Sequence, residues 1–434
     1  MPPKRLSFRG VTKALGLYWG GLNTMLMPMD GVRVVDLTRF TAGPFCTRIL
    51  SDYGADVIKI EEPGAGDPAR RMPPFHKDDP GLEKSGVFLF LNTNKRSATL
   101  NLRTEDGKSI LKELVKGADI LVENFSPGVM DGFGLTYDVL NEINPKLVMT
   151  SISNFGQWGP YRDWQATDLT LYGMGGNMIG AGDFDHEPVK TAGRMVNYHA
   201  GYVAALATSL SLTSVELDGQ SEQLDISVFE TATHSIDGRL GRLMGYEHNG
   251  HLSSRPTRAA AVASGAHPCK DGYFLITGGA RFLPNIMRMI GMEELLEQPE
   301  YATPAARANP DLIDEFLAYL IPWTLNRTKA ELRVEAEKHG VLGGPLNTIE
   351  DLLNDESFVA REYFQEIDHP TTGPVKYPGY HFVLHRPDGE DGAEISMPKR
   401  RRAPLLGEHT DEVLSGALGL SVEEIERLRA DRVI

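Results

Sequence analysis

From residue 31 onward, short runs of apolar and β-branched residues alternate with longer amphipathic ones, and few architectures accept that order. GVRVVDLT (31–38) reads as a strand, PFCTRILSDYGA (44–55) as a helix and DVIKIEE (56–62) as a strand. RSATLNL (96–102) is a further strand. TEDGKSILKELVKGA (104–118) is a helix, with Thr104 as its cap and acids in its first turn. DILVEN (119–124) and KLVMTSIS (146–153) complete the series. Strands separated by helices join through right-handed crossovers into a mostly parallel sheet, so the expected class is α/β with a Rossmann-like large domain. DLTRFTAGP follows the first strand where a dinucleotide fold carries GxGxxG, which speaks against a standard NAD or FAD site.

The 434 residues exceed one compact core and suit two domains. A net charge of −15 argues against general nucleic-acid binding, because a polyanion needs a basic face, yet a local cation cluster still serves a phosphate-bearing small ligand. The two cysteines, Cys46 and Cys269, form no CxxC, so neither a disulfide framework nor a metal site is indicated and a cytoplasmic location is expected. Residues 1–29 carry four basic residues and no acid. Lys13 and several glycines interrupt their apolar part, which reads as an N-terminal extension, a surface or subunit-contact arm rather than a targeting signal. No uninterrupted apolar run has membrane-spanning length, and no membrane partner is expected.

Beyond an apolar helical run at about 199–213, SEQLDISVFETATHSI opens a new stretch, and HPCKDGYFLIT (267–277) reads as a hairpin turning at Lys270, Asp271 and Gly272. Helices are expected at about 311–321 and 328–339, and another capped by Thr348. DPGLEK (79–84) and HRPDGEDGAE (385–394) read as exposed loops, and PKRRRAP (398–404) as a solvated charge run with a phosphate clamp as the alternative.

These blocks, in this order, resemble the class III CoA-transferases, a family that also contains acyl-CoA racemases. The resemblance runs through MDGVRVVDLTRFTAGPFCTRILSDYGADVIKIEEPGAGDPAR, NTNKRSATLNLRTEDGKSILKELVKGADILVENFSPGVMDGFGL and NPKLVMTSISNFGQWGPYRDWQATDLTLYGMGG. It resumes at PCKDGYFLIT, GGPLNTIEDLLND and APLLGEHTDEVL, and leaves out only the N-terminal extension. It implies a large domain formed by residues 30–225 and 370–434, a smaller α+β domain at 226–369, and two chains interlocked as a dimer. It implies CoA and acyl-CoA as substrates, with no tightly bound cofactor and no metal.

In such enzymes an aspartate carboxylate attacks a thioester, forms a mixed anhydride and then carries CoA as an enzyme thioester. Counting through the resemblance places that aspartate at Asn197, whose neutral amide is no carboxylate nucleophile. Either Asn197 caps the helix that follows, or it contacts substrate. Asp168 is the obvious substitute, but the family carries an aspartate there beside the nucleophile, which favours a structural role. Asp183 and Asp185 lie in a glycine-rich loop and are expected to be solvated. The racemase branch has His and Asp where Thr167 and Asn197 stand, so racemisation is disfavoured. Positions that contact CoA in formyl-CoA transferases are also altered, at Thr41, Glu62, Gly132 and Gln165. The contacts that remain to hold a CoA ester are Arg103, and Asn124, Phe125 and Ser126 of the NFS stretch, together with the NKRS block; the altered Thr41 and its neighbour Ala42 stay as candidate CoA-binding positions. AVASGAHP corresponds to the glycine run of the family's small domain.

Two expectations follow. In one, the chain is the nucleophile-lacking subunit of a heteromeric transferase of the benzylsuccinate type, known from anaerobic aromatic degradation. A paralogous subunit then supplies the catalytic aspartate, and CoA moves from an acyl-CoA such as succinyl-CoA to an acid such as benzylsuccinate. In the other, the chain works as a homodimer and Asn197 is an engineered trap or an unusual working residue.

Overall fold

The computed structural model describes residues 27–176, 178–183, 185–233, 239–252, 255, 261–384 and 397–434. The expected arm therefore lies outside the described residues as far as residue 26, and so does the 385–394 loop. Met27 and Met29, at the edge of that arm, are buried in the core.

Six strands form one parallel sheet: β1 (Arg33–Asp36), β2 (Asp56–Glu61), β3 (Arg96–Thr99), β4 (Ile120–Glu123), β5 (Val148–Ser153) and β6 (Glu222–Ser227), in the order β3-β2-β1-β4-β5-β6. β4 and β5 are buried at every residue, as strands covered on both faces must be. The helices are α1 (Ala42–Asp52), α2 (Gly86–Leu91), α3 (Glu105–Lys116), α4 (Val129–Phe133), α5 (Tyr137–Ile143), α6 (Asp168–Met174), α7 (Met195–Asp218) and α8 (Val228–Thr233). α1, α7 and α8 cover one face around Cys46, Leu50, Ala200 and Ala204. α3, α5 and the C-terminal helices Thr410–Leu418 and Val422–Ala430 cover the other around Leu111, Leu140, Val413 and Leu428.

The chain leaves this sheet for a second region with its own core, where β7 (Gly265–Cys269), β8 (Gly272–Ile276) and β9 (Gly343–Pro345) pair antiparallel. Helices Leu283–Ile290, Leu312–Leu325 and Lys329–Lys338 pack on that sheet through Ile286, Phe316 and Leu332. The expected hairpin forms, and Thr104 and Thr348 cap their helices through side-chain bonds to the backbone N–H of Gly107 and Asp351. The tail then returns to the large sheet, where the Asn101 N–H donates to the Val433 carbonyl at 2.8 Å.

α7 runs for 24 residues, longer than the apolar run at 199–213 indicates. It has the length and composition of a membrane span, yet it packs on α1, α8, β5 and β6 as a core helix. Its contact with α1 depends on Gly201, where a Cβ would fall 2.7 Å from the Ala42 carbonyl oxygen.

Candidate active site

β1 and β4 are neighbours in the sheet, and the segments leaving their carboxyl ends diverge, which opens a crevice at the position where open parallel sheets bind ligands. A cavity of about 280 Å³ lies there. Leu37–Arg39 wall it after β1, Glu61 at the end of β2 with Glu62 and Asp67 beyond it, Leu100–Arg103 after β3, and Phe125 after β4. Two side-chain bonds stitch the β1 and β4 exits together: the Arg39 N–H donates to Asn124 Oδ1 at 2.7 Å, and Asn124 Nδ2 donates to the Arg39 carbonyl at 2.8 Å. The Arg39 guanidinium then lies 4.7 Å from the centroid of the Phe125 ring. A ring face, Arg39 and Arg103 together suit a flat base and its phosphates.

Buried ions hold this crevice in shape. Asp36, at the end of β1, accepts from the Thr38 N–H, from Thr47 Oγ1 and from Lys95 Nζ at 2.8, 2.7 and 3.0 Å. Burial pushes its carboxyl upward, but Lys95, Lys59 and the two threonines prevail and hold it at about 2. Lys59 pairs with Asp67 at 2.9 Å, and Arg70 grips Glu61 through two bonds of 2.8 Å. Glu123, which ends β4, is 3% exposed and accepts from the Phe125 N–H at 2.8 Å. Burial drives its carboxyl up to about 7 despite that bond and one from Ser151.

A second group of side chains gathers at the start of α7. Asn197 Nδ2 donates to Asp168 Oδ1 at 2.9 Å, and the Asn197 N–H approaches the same oxygen at 3.4 Å. Lys190 Nζ pairs with the other oxygen, Oδ2, at 2.8 Å, and also donates to the Thr191 carbonyl at 2.9 Å. The Lys190 and Asp168 side chains are 17% and 12% exposed, so this is a sheltered pair. The helix-capping role considered for Asn197 is not what the backbone shows. Arg194 is the N-cap, without a side-chain cap bond, and Asn197 is the third residue of the helix with its amide turned to Asp168. Asp168 is held between Asn197 and Lys190 from the first position of α6, where Thr167 forms a reciprocal cap with Thr170.

The remaining sequence candidates divide between wall, core and surface. Arg103 and Phe125 line the cavity, with Asn124 fastening its rim and Ser126 exposed beside it. Thr41 and Ala42 are 2% and 4% exposed and lie at the start of α1 rather than on the cavity wall. Glu62 stands in the wall, while Gly132, Gln165, Asp183 and Asp185 face solvent. The expected solvated run at 398–404 is corrected at Arg400, which is 5% exposed and grips Asp52 at 3.0 and 2.8 Å. Residues 79–84 form a loop as expected, exposed at Asp79 and Pro80 but drawn in at Glu83, which accepts from Arg70 Nη1 at 2.6 Å. Sequence reasoning missed Arg39 and Lys190. Arg39 had a usable signal, since it lies three residues beyond β1 at a strand exit; Lys190 had none. Among the described residues no group of His, Cys, Asp or Glu is arranged to hold a metal ion.

The model of CoA-transferase family III matches residues 29–410. A succinyl-CoA–D-citramalate CoA-transferase of Chloroflexus aurantiacus is 32% identical over 94% of this chain and 98% of its own. A formyl-CoA:oxalate CoA-transferase of Streptomyces avermitilis is also 32% identical, over 94% of this chain and 100% of its own. Among solved structures, a CaiB/BaiF family protein from Brucella suis superposes with a TM-score of 0.77 at 31% identity, covering 91% of this chain and 100% of that one. A protein from M. tuberculosis gives 0.71 at 25% identity, covering 89% and 98%.

Proposed function

Because this chain belongs to CoA-transferase family III and is an enzyme of that type, we propose that it moves CoA from a short acyl-CoA such as succinyl-CoA to a carboxylic acid bearing an aryl group, such as benzylsuccinate. The observation that carries this reading is the carboxyl-edge cavity, where Arg39, Arg103 and Phe125 suit the nucleotide end of a CoA ester. The name of the Chloroflexus relative supports succinyl-CoA as donor. Tyr161 and Trp164, stacked at 4.0 Å on the segment leading into Asp168, support an aromatic acceptor. Chromatography of CoA esters tests it: the chain, alone or with its partner, converts succinyl-CoA and benzylsuccinate into benzylsuccinyl-CoA faster than it uses citramalate or oxalate. Equal or better use of the two smaller acids overturns the aryl preference.

The exposed face of α7 supports a second chain. Tyr202, Leu206, Leu210 and Leu217 are 45–75% exposed along one side of the helix, an apolar stripe that an interlocked partner would cover. A neutral amide at 197 favours a second reading, in which that partner is a paralogue carrying aspartate at the matching position. Native mass spectrometry of the two chains expressed together tests it: a one-to-one heteromer supports the paralogue, and separate homodimers overturn it.

A further inference from the structure

Within that transferase reading, we infer that Asp168, rather than residue 197 or a partner's side chain, is the carboxylate that takes up the acyl group and then CoA. Asp168 Oδ1 lies 2.9 Å from the side-chain nitrogen of Asn197, so a thioester presented to residue 197 is also presented to Asp168. Lys190 balances the charge of this carboxylate through its other oxygen, at 2.8 Å, with both side chains largely withdrawn from water. A poorly solvated anion is a better nucleophile than a hydrated one.

The amide at 197 complements the Asp168 carboxylate, which it meets through a donor at 2.9 Å. With no second carboxylate at 197, Asp168 faces a hydrogen-bond donor there instead of a like charge. The amide donates one N–H to Asp168 and keeps a second N–H for the oxygen that becomes negative when the thioester carbonyl is attacked. Asn197 is on this view a positioning and oxyanion-stabilising residue.

In the first half-reaction an Asp168 oxygen attacks the thioester carbonyl carbon, the carbon–sulfur bond breaks, and CoA leaves as thiolate from an acyl–aspartyl anhydride. The thiolate attacks the Asp168 carbonyl carbon, the anhydride bond breaks, and the donor acid leaves as carboxylate while CoA stays as an aspartyl thioester. The acceptor carboxylate runs the same two steps in reverse and returns Asp168 as an anion. Protons and electrons balance without any further reactant.

The test uses the purified full-length chain, incubated with succinyl-CoA, quenched with hydroxylamine and mapped by peptide mass spectrometry. The expected adduct is a hydroxamate on Asp168. Asp168→Asn removes it and lowers CoA transfer on the order of 10³-fold or more. Should that variant fail to fold, the map of the unaltered chain decides alone. CoA transfer with the adduct on another residue, on a co-expressed paralogue, or with no adduct overturns the assignment and leaves the transferase reading standing. No CoA exchange in any preparation overturns both.

Discussion

The cavity at the sheet's carboxyl edge and the side-chain group at the start of α7 are made in contrasting ways. The cavity is a product of the backbone. Its walls are strand exits, tied by Asn124 and stiffened by the buried ions Asp36, Lys59, Lys95, Glu61 and Arg70. The α7 group consists of three side chains, Asp168, Lys190 and Asn197, contributed by two helix starts and the loop between them. Removing one ion from the first disturbs the scaffold; removing one from the second leaves the scaffold and alters the chemistry.

Asp36→Ala attacks that contrast hardest. It leaves Lys95 buried without its carboxylate, and urea unfolding is expected to show a loss of about 3–5 kcal/mol. A loss near the surface-pair level of about 1 kcal/mol would mean that the sheet edge stands without its ions.

Glu123 adds a pH dependence to the same scaffold. Its folded-state value of about 7 lies above the ordinary 4.5, so the folded chain holds this proton more tightly than the unfolded one. The contribution to stability is complete below pH 4.5 and is lost as pH rises through 7. Glu123→Gln is expected to flatten that slope and to stabilise the protein at pH 8 by on the order of 2–3 kcal/mol, read from unfolding curves at pH 5 and 8. An unchanged slope would show that the carboxyl is ionised throughout.

Ligand contacts come next in size. Arg39→Gln is expected to weaken CoA-ester binding about tenfold, or about 1.4 kcal/mol, in a titration calorimeter. Arg103 is exposed, and Arg103→Gln is expected to do so by about threefold. The reverse ranking would move the phosphates to the β3 exit. Smallest for stability is Lys190→Gln, expected to cost about 1 kcal/mol in unfolding while CoA transfer falls about tenfold at unchanged KM for the CoA ester. A large loss of stability there would make Lys190 part of the scaffold.

The same contrast decides what could be read from the sequence. Strand and helix alternation declares the sheet because each element's period is local, and Thr104 and Thr348 declare their helices because a cap acts within three residues. Arg400 sits in a basic run, and nothing local distinguishes a solvated arginine from one gripping Asp52 across 348 positions of sequence. Asn197 and Asp168 are 29 residues apart with a loop between them, so their hydrogen bond leaves no periodic trace. Lys190 is equally silent. The resemblance to relatives marked position 197 as altered, but only the geometry shows what its amide faces.

Gly201 stands one turn beyond Asn197, where α7 meets the Ala42 carbonyl at the start of α1. α1 begins three residues after Arg39, so the missing side chain at 201 lets one rigid joint bear both the rim of the crevice and the carboxylate pocket. The two ends of a long thioester are thereby measured against a single gauge. Any residue larger than glycine at 201 would lengthen that gauge, and a substrate seated correctly at its nucleotide would then arrive at Asp168 out of reach.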